Sequence, residues 1–188
     1  MTVPELGAAL TAISVLSAVA VPATHNYVVQ ARAIAAVHDA RTFATAVVQL
    51  ADDVAAAGAR PGGWRTIDLL VGDGEVPQVA PGGDPRWIAP VGGRVVLLRD
   101  QLILKPAMYS LPSPAVLSKG WRGPYLENVA GADPWGHRYA INLVFLRASD
   151  GRDTVVLSAG PNGIVETPFE DQSIVPGGDD IVALVSSR

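Results

Sequence analysis

MTVPELGAALTAISVLSAVAVPATHNYVVQ, residues 1–30, holds one carboxylate near its front, Glu5, and a proline toward its end, Pro22. From Leu6 to Ala23 no charged side chain occurs, and with His25 neutral the next charge is Arg32. That run has the length of a spanning helix, about 18 to 20 residues for a ~30 Å hydrocarbon core. A secretory signal fits poorly, because the only early charge is acidic and no basic segment precedes the apolar run. Gly7, Ala8, Ala9, Ala12, Ser14, Ser17, Ala18 and Ala20 are small, as close helix-to-helix contact in an apolar medium requires.

The helical pattern continues past this segment. Residues 31–57 contain no Gly or Pro, and Phe43, Val47, Leu50 and Val54 fall at helical spacing, predicting an amphipathic rear half that lies on a domain. Gly58 and the following RPGG stop it, which makes residues 1–57 one long helix with residues 1–25 as a membrane or filament-core segment. Pro22 should kink or locally melt it, since proline lacks the backbone donor and crowds the preceding turn. Glu5 is either an interfacial residue among headgroups or a paired one. The cation available at its level is the α-amine of Met1, and a helix cannot fold Glu5 back onto its own terminus. The amine of a neighbouring copy is the better partner, so Glu5 would set register between subunits.

Met1, Glu5, Leu6, Ala18, Ala20, Pro22, Ala23 and Tyr27 fall, without a gap, where the N-terminal helix of processed type IV pilins and type II secretion pseudopilins has its glutamate, small-residue run, proline and tyrosine. The chain resembles that family, with Met1 where phenylalanine is usual and Pro4 where an aliphatic residue is usual. The resemblance implies cleavage by a prepilin peptidase, N-terminal methylation, residence in the inner membrane before assembly, and helices bundled into a homopolymeric filament in the periplasm or outside the cell. With no leader before Met1, the chain reads as the mature form.

The 188-residue chain carries a formal charge of -4 without a basic cluster, which removes the electrostatic basis for nucleic-acid binding. It has no cysteine, hence no disulfide framework, thiolate metal site or cysteine nucleophile. After Gly58 the composition turns to Gly, Pro and short β-like runs, giving a head of residues 58–188. Residues 59–93 read as a connecting loop with short apolar runs at Ile67–Val71 and Trp87–Ile88. Residues 95–105 read as a hairpin turning near Arg99 to Gln101, while 138–146 and 154–160 read as strands around the turn Ser149-Asp150-Gly151. Residues 181–185 supply a last strand. The expected class is α+β, a long helix on a small antiparallel sheet.

Gly123-Pro124-Tyr125-Leu126, then Asp133-Pro134-Trp135-Gly136 and Tyr139, is similar to the GPYL and DPWG run of major type II secretion pseudopilins. Asp133 before Pro134 favours a turn, Trp135 supplies a large apolar plug, and Gly136 permits a positive φ. The run reads as a fold signature without catalytic duty, and His137 as an exposed turn residue. SAGPNGIVETPFEDQSIVPGGDDIVAL, from Ser158, resembles the C-terminal calcium loop of the same proteins. Asn162-Gly163 stands in place of an Asp-Gly, Asp180-Ile181 matches a later Asp-Ile, and Asp179 is adjacent. The resemblance implies Ca2+ held by Asn162, Asp179 and Asp180, with carbonyls near Ala159 or Ile164 completing the shell. Asn162 is neutral, and about ten residues including Glu166, Glu170 and Asp171 are inserted, so a metal-free acidic loop is the other reading.

His25, His38 and His137 lie apart along the chain, and no nucleophile-and-base pair or phosphate loop is spelled out, so the sequence points away from an enzyme. The expected function is a structural subunit of a pilus-like filament, most like the major pseudopilin. The alternatives are an extracellular pilin for adhesion or motility, and a binding domain on a single membrane span.

Overall fold

The computed structural model describes residues 3–54, 66–90, 92–107, 109, 120–128, 131–146 and 151–185. α1 is one helix of 51 residues, Val3–Asp53, about 75 Å long at 1.5 Å per residue. Its assignment runs through Pro22 without a break, so the local melting expected there does not occur. The side chains of Glu5 and Pro22, and of most residues from Leu6 to Ala23, lie outside the described residues, as do Met1 and Gly58. Among the described residues no helix is long and apolar enough to cross a membrane. The rear half carries the expected stripe: Ala36, Ala40, Phe43, Val47, Leu50 and Val54 are all buried, three or four residues apart.

That stripe packs on a five-stranded sheet, principally against its β5 and β7 strands. The strands are β1 (Leu69–Val71), β3 (Val95–Leu97), β4 (Ala140–Ile141), β5 (Val155–Ser158) and β7 (Ile181–Leu184), in the order β3-β1-β4-β5-β7. β1–β4, β4–β5 and β5–β7 are antiparallel, while β1–β3 is parallel. Beside it, β2 (Gln78–Val79) and β6 (Ile164–Val165) form a parallel pair. The architecture is a long helix on a small, mostly antiparallel sheet, as the α+β expectation had it.

Two local expectations give way. Residues 95–105 do not form a hairpin: β3 runs directly into the helix α2, Leu98–Leu102. Arg99 to Gln101 holds no Gly for the positive φ of a tight hairpin, and Leu98, Gln101 and Leu102 are buried at i, i+3 and i+4. The strand expected over 138–146 is two residues long, because Asn142 is fully buried and its side chain replaces ladder bonds. Its amide donates to the carbonyls of Asp153 and Phe169, at 3.2 and 2.8 Å, and its oxygen accepts the Val155 N–H at 2.6 Å. Within the expected connecting loop, Pro85–Trp87 is a 3-10 turn capped by Asp84, whose carboxylate accepts the Arg86 N–H at 3.0 Å.

The sheet is covered on both faces, which is why all four residues of β5 are buried. Leu70, Ile141, Val156 and Ala183 meet Phe43, Val47 and Leu50 of α1. On the opposite face Leu69, Val71, Ala140, Val155 and Leu157 meet Trp87, Phe145 and Phe169. Alternation along β5 thus divides one strand between two cores.

Candidate functional site

The sequence motifs converge on two places where the head grips α1 and on the loop beyond β5. At the C-terminal end of α1, the Tyr125 hydroxyl donates to Asp53 at 3.1 Å and accepts the Arg122 N–H at 3.0 Å. Arg122 approaches the same carboxylate at 3.7 Å, and the Tyr125 N–H reaches the Leu102 carbonyl of α2 at 2.8 Å. Tyr125 also packs edge-on against Trp121, and Leu126 is buried, while Gly123 and Pro124, joined by a cis peptide, lead into the clamp. Burial, and then the negative charge of Asp53, push the Tyr125 hydroxyl up to about 12.

The Asp133-Pro134-Trp135-Gly136 turn is organised by the Asp133 carboxylate, whose side chain is completely buried. Oδ1 accepts the N–H groups of Trp135 and His137 at 3.0 and 2.9 Å, and Oδ2 accepts the Ser158 hydroxyl at 2.6 Å. Ser158 in turn accepts the Gly160 N–H at 3.2 Å, so one buried anion joins the turn to the start of the C-terminal loop. Gly136 has φ 101°, the conformation that its lack of a Cβ allows. The turn then aims Tyr139 at α1, where its ring packs edge-on against Phe43 at 5.0 Å and its hydroxyl donates to Asp39 at 3.3 Å. Burial first, and then Asp39 and Asp133, hold the Tyr139 hydroxyl far above the ordinary tyrosine range.

Two residues of this run stand differently from their expected places. Trp135 is only partly buried, and the buried tryptophans among the described residues are Trp87 and Trp121, since the turn is held by the Asp133 hydrogen bonds without an apolar plug. His137 is not an exposed turn residue: its side chain is 20% exposed, Nδ1 is buried 3.8 Å from Asp133 Oδ1, and Nε2 lies against Gly163. Gly163 has φ 68° and no room for a Cβ beside that imidazole, so the Asn-Gly turn docks on the Asp-Pro-Trp-Gly turn through a glycine.

The proposed calcium residues are brought to one region but are largely occupied by the loop itself. Asn162 Oδ1 accepts the Ile164 N–H at 2.7 Å, closing its own turn, and the Asn162 N–H donates to Asp179 Oδ2 at 3.2 Å. Asp180 is 7% exposed, and its Oδ2 accepts the N–H groups of Glu166 and Thr167 and the Thr167 hydroxyl at 2.8, 2.7 and 2.6 Å. Its Oδ1 is buried with no hydrogen-bond partner among the described residues. Burial raises the Asp180 carboxyl, against the lowering effect of those donors. Among the described residues no three Asp, Glu or His side chains are gathered as a metal group.

Sequence reasoning placed the motifs but not their partners. Asp39 and Asp53 fall off the apolar stripe of α1, and Thr167 lies in the insertion; each reaches its partner across 13 or more positions, a pairing that no local spacing encodes. Ser158 stood inside the quoted Ser-x-Gly, which was the available signal for a hydroxyl bonded to the turn. No family profile matches this chain, and no curated protein or solved structure matches it either.

Proposed function

We propose that the chain is a structural subunit of a helical, type IV pilus-like filament, most like the major pseudopilin of type II secretion, polymerising through α1. The observation that carries the reading is the division of one 51-residue helix: its rear stripe is buried on the sheet, while Tyr27, Val28, Val29 and Ile34 ahead of it stand exposed. A row of large apolar side chains on a helix that extends past its own head is suited to burial by other copies. Glu5 then pairs with the Met1 α-amine of a neighbour, and the small residues between Gly7 and Ala20 allow the helices to approach. The head supplies the outer surface, with the Asp133 turn and the Tyr125 clamp holding it rigidly on α1. No catalytic role is assigned.

Calcium belongs to the same proposal. The buried, unpartnered Asp180 Oδ1 is the donor that fits a cation, with Asp179 alongside it; Asn162, whose side-chain oxygen already closes a turn, fits less well. When bound, the ion would neutralise the two adjacent carboxylates and tie the 158–166 loop to the 177–181 loop.

The test is assembly in cells of the native system, reported by sheared filaments and by cysteine crosslinks placed at Tyr27 and Ile34. Glu5→Ala should leave the head's melting curve unchanged and abolish filaments and crosslinks. Wild-type filament yield from that variant would remove the Glu5 pairing, and absence of crosslinks in the cysteine variants that retain Glu5 would remove the filament reading.

A further inference from the structure

On the sheet face away from α1, a cleft of roughly 370 Å³ opens between the 3-10 turn and the inserted loop. Two arginines border it, each lying over an aromatic ring: Arg86 at 4.8 Å from the Phe169 centroid and Arg152 at 4.5 Å from the Phe145 centroid. The two rings pack edge to face at 5.7 Å, so the guanidinium groups stand on one apolar base. Arg86 is fixed further by Asp84, whose carboxylate accepts from Nε at 2.9 and 3.0 Å and also from Nη2, which leaves Nη1 to the cleft. Both arginines are thereby oriented before any ligand arrives, and charged N–H donors from two guanidinium groups suit a carboxylate between them.

One carboxylate already sits there. Glu170 Oε2 accepts from Arg86 Nη1 at 3.1 Å and from Arg152 Nη1 at 2.7 Å, so a single oxygen bridges the two cations. Arg86 chiefly, with Arg152, holds the Glu170 carboxyl below the usual carboxylate range. Yet Glu170 belongs to an exposed stretch with Asp171 and Gln172, and its side chain is 41% exposed. Ion pairs this exposed are screened by solvent and contribute little, so an arriving carboxylate can exchange with it at low cost. Asp68, the other acid on the cleft wall, is engaged by the Arg94 N–H at 2.8 Å. Pro90, Val144 and the two phenylalanines make the rest of the wall apolar.

We propose that this cleft binds a carboxylate borne on an apolar group, that Arg86 and Arg152 cradle it, and that Glu170 is an internal placeholder it displaces. The carboxylate comes either from a small aromatic acid or from the C-terminus of a peptide ending in an apolar residue. The site is independent of polymerisation through α1.

The experiment is amide and arginine-Nε NMR of the full chain in detergent micelles, titrated with benzoate, with benzamide, and with N-acetyl-phenylalanine and its C-terminal amide. Benzoate should shift Gly92, Gly93 and the Nε signals of Arg86 and Arg152 at millimolar concentration, and benzamide should not. Glu170→Gln, an exposed and isosteric change, should tighten benzoate about three- to tenfold by removing the competitor. Arg152→Lys keeps the charge without the fork and should weaken it at least fivefold. Tighter binding of N-acetyl-phenylalanine than of benzoate identifies a peptide terminus, and the reverse identifies a small acid; each amide should be silent. Equal binding of benzamide, or unchanged benzoate affinity in Glu170→Gln or in Arg152→Lys, overturns the proposal.

Discussion

The two halves of α1 share a backbone and differ in what covers them. From Ala36 to Val54 the apolar positions are buried beneath β5 and β7, and Phe43, Val47 and Leu50 are each 2% exposed. Only a few turns earlier, Tyr27 and Ile34 are 73% and 70% exposed. Both halves are rich in Ala and Val, so composition does not separate them. What separates them is the head: among the described residues its cover of the helix ends near Ala36, and the large apolar side chains ahead of that point, Tyr27, Val28, Val29 and Ile34, stand exposed. An element that is core at one end and uncovered at the other is suited to serving a fold and an assembly at once.

The sharpest way to break this division is to truncate one large side chain in each half. Phe43→Ala removes a buried ring that packs on Tyr139, and should cost about 3–5 kcal/mol in denaturant unfolding of the full chain in detergent. Ile34→Ala should change the same measurement by no more than about 0.5 kcal/mol while reducing filament yield. Comparable destabilisation by the two substitutions would erase the distinction. Asp133→Ala tests the hold of the head on the buried half. It leaves the Trp135 and His137 N–H groups and the Ser158 hydroxyl without their acceptor, for an expected loss of about 3 kcal/mol. Ser158→Ala, which removes one of those three bonds together with its donor, should cost about 1 kcal/mol.

How far the sequence foretold these regions follows from the range of the forces involved. The helix was legible because its signal is local: residues 8–57 carry no Gly, and apolar positions return every three or four in its rear half. The pairing of β4 with β5 was legible from two β-branched runs around a turn, but the length of β4 was not, because Asn142 spends its amide on Asp153 and Phe169. The 95–105 hairpin failed for a related reason: burial of Leu98 and Leu102 selects a helical turn where strand propensity alone favoured a second strand. In the candidate site, the Asp-Pro-Trp-Gly motif announced a turn and Gly136 its positive φ, while the burial of Asp133 and its bond to Ser158 depend on tertiary contact. The Arg86–Glu170 contact spans 84 positions and left no trace in spacing.

A smaller effect is expected in the C-terminal loop. If a cation reaches Asp180 Oδ1, a chelator should lower the melting temperature of the full chain and added calcium should restore it. The gain would approach about 2.7 kcal/mol at a hundredfold excess over Kd. Asp180→Ala should abolish the response, whereas Asn162→Asp should strengthen it by adding a carboxylate. Superimposable melts with chelator and with millimolar calcium would leave the loop held by its own hydrogen bonds to Asp180 Oδ2.

The smallest expected effect lies at the far end of the buried half, where Tyr125 closes on Asp53. A tyrosine raised from its ordinary value of 10.0 to about 12 favours the neutral hydroxyl in the folded state. Its contribution is therefore complete below pH 10, the unfolded value, and is lost as pH rises through 10 to about 12. The cause is burial first and the Asp53 carboxylate second, so removing the charge alone should recover only part of the shift. In an ultraviolet titration of the folded chain, Tyr125 should ionise near pH 12, ahead of the still later Tyr139, and Tyr125→Phe should remove the step near 12 alone. Asp53→Asn should move the step down without returning it to 10. Tyr125→Phe should cost about 1 kcal/mol at neutral pH, the scale of one hydrogen bond, and that cost should vanish in the variant that already lacks the Asp53 carboxylate. An undiminished cost in the double variant would mean that Tyr125 steadies the head through Trp121 and α2, and that the grip on the end of α1 comes from packing instead of the Asp53 bond.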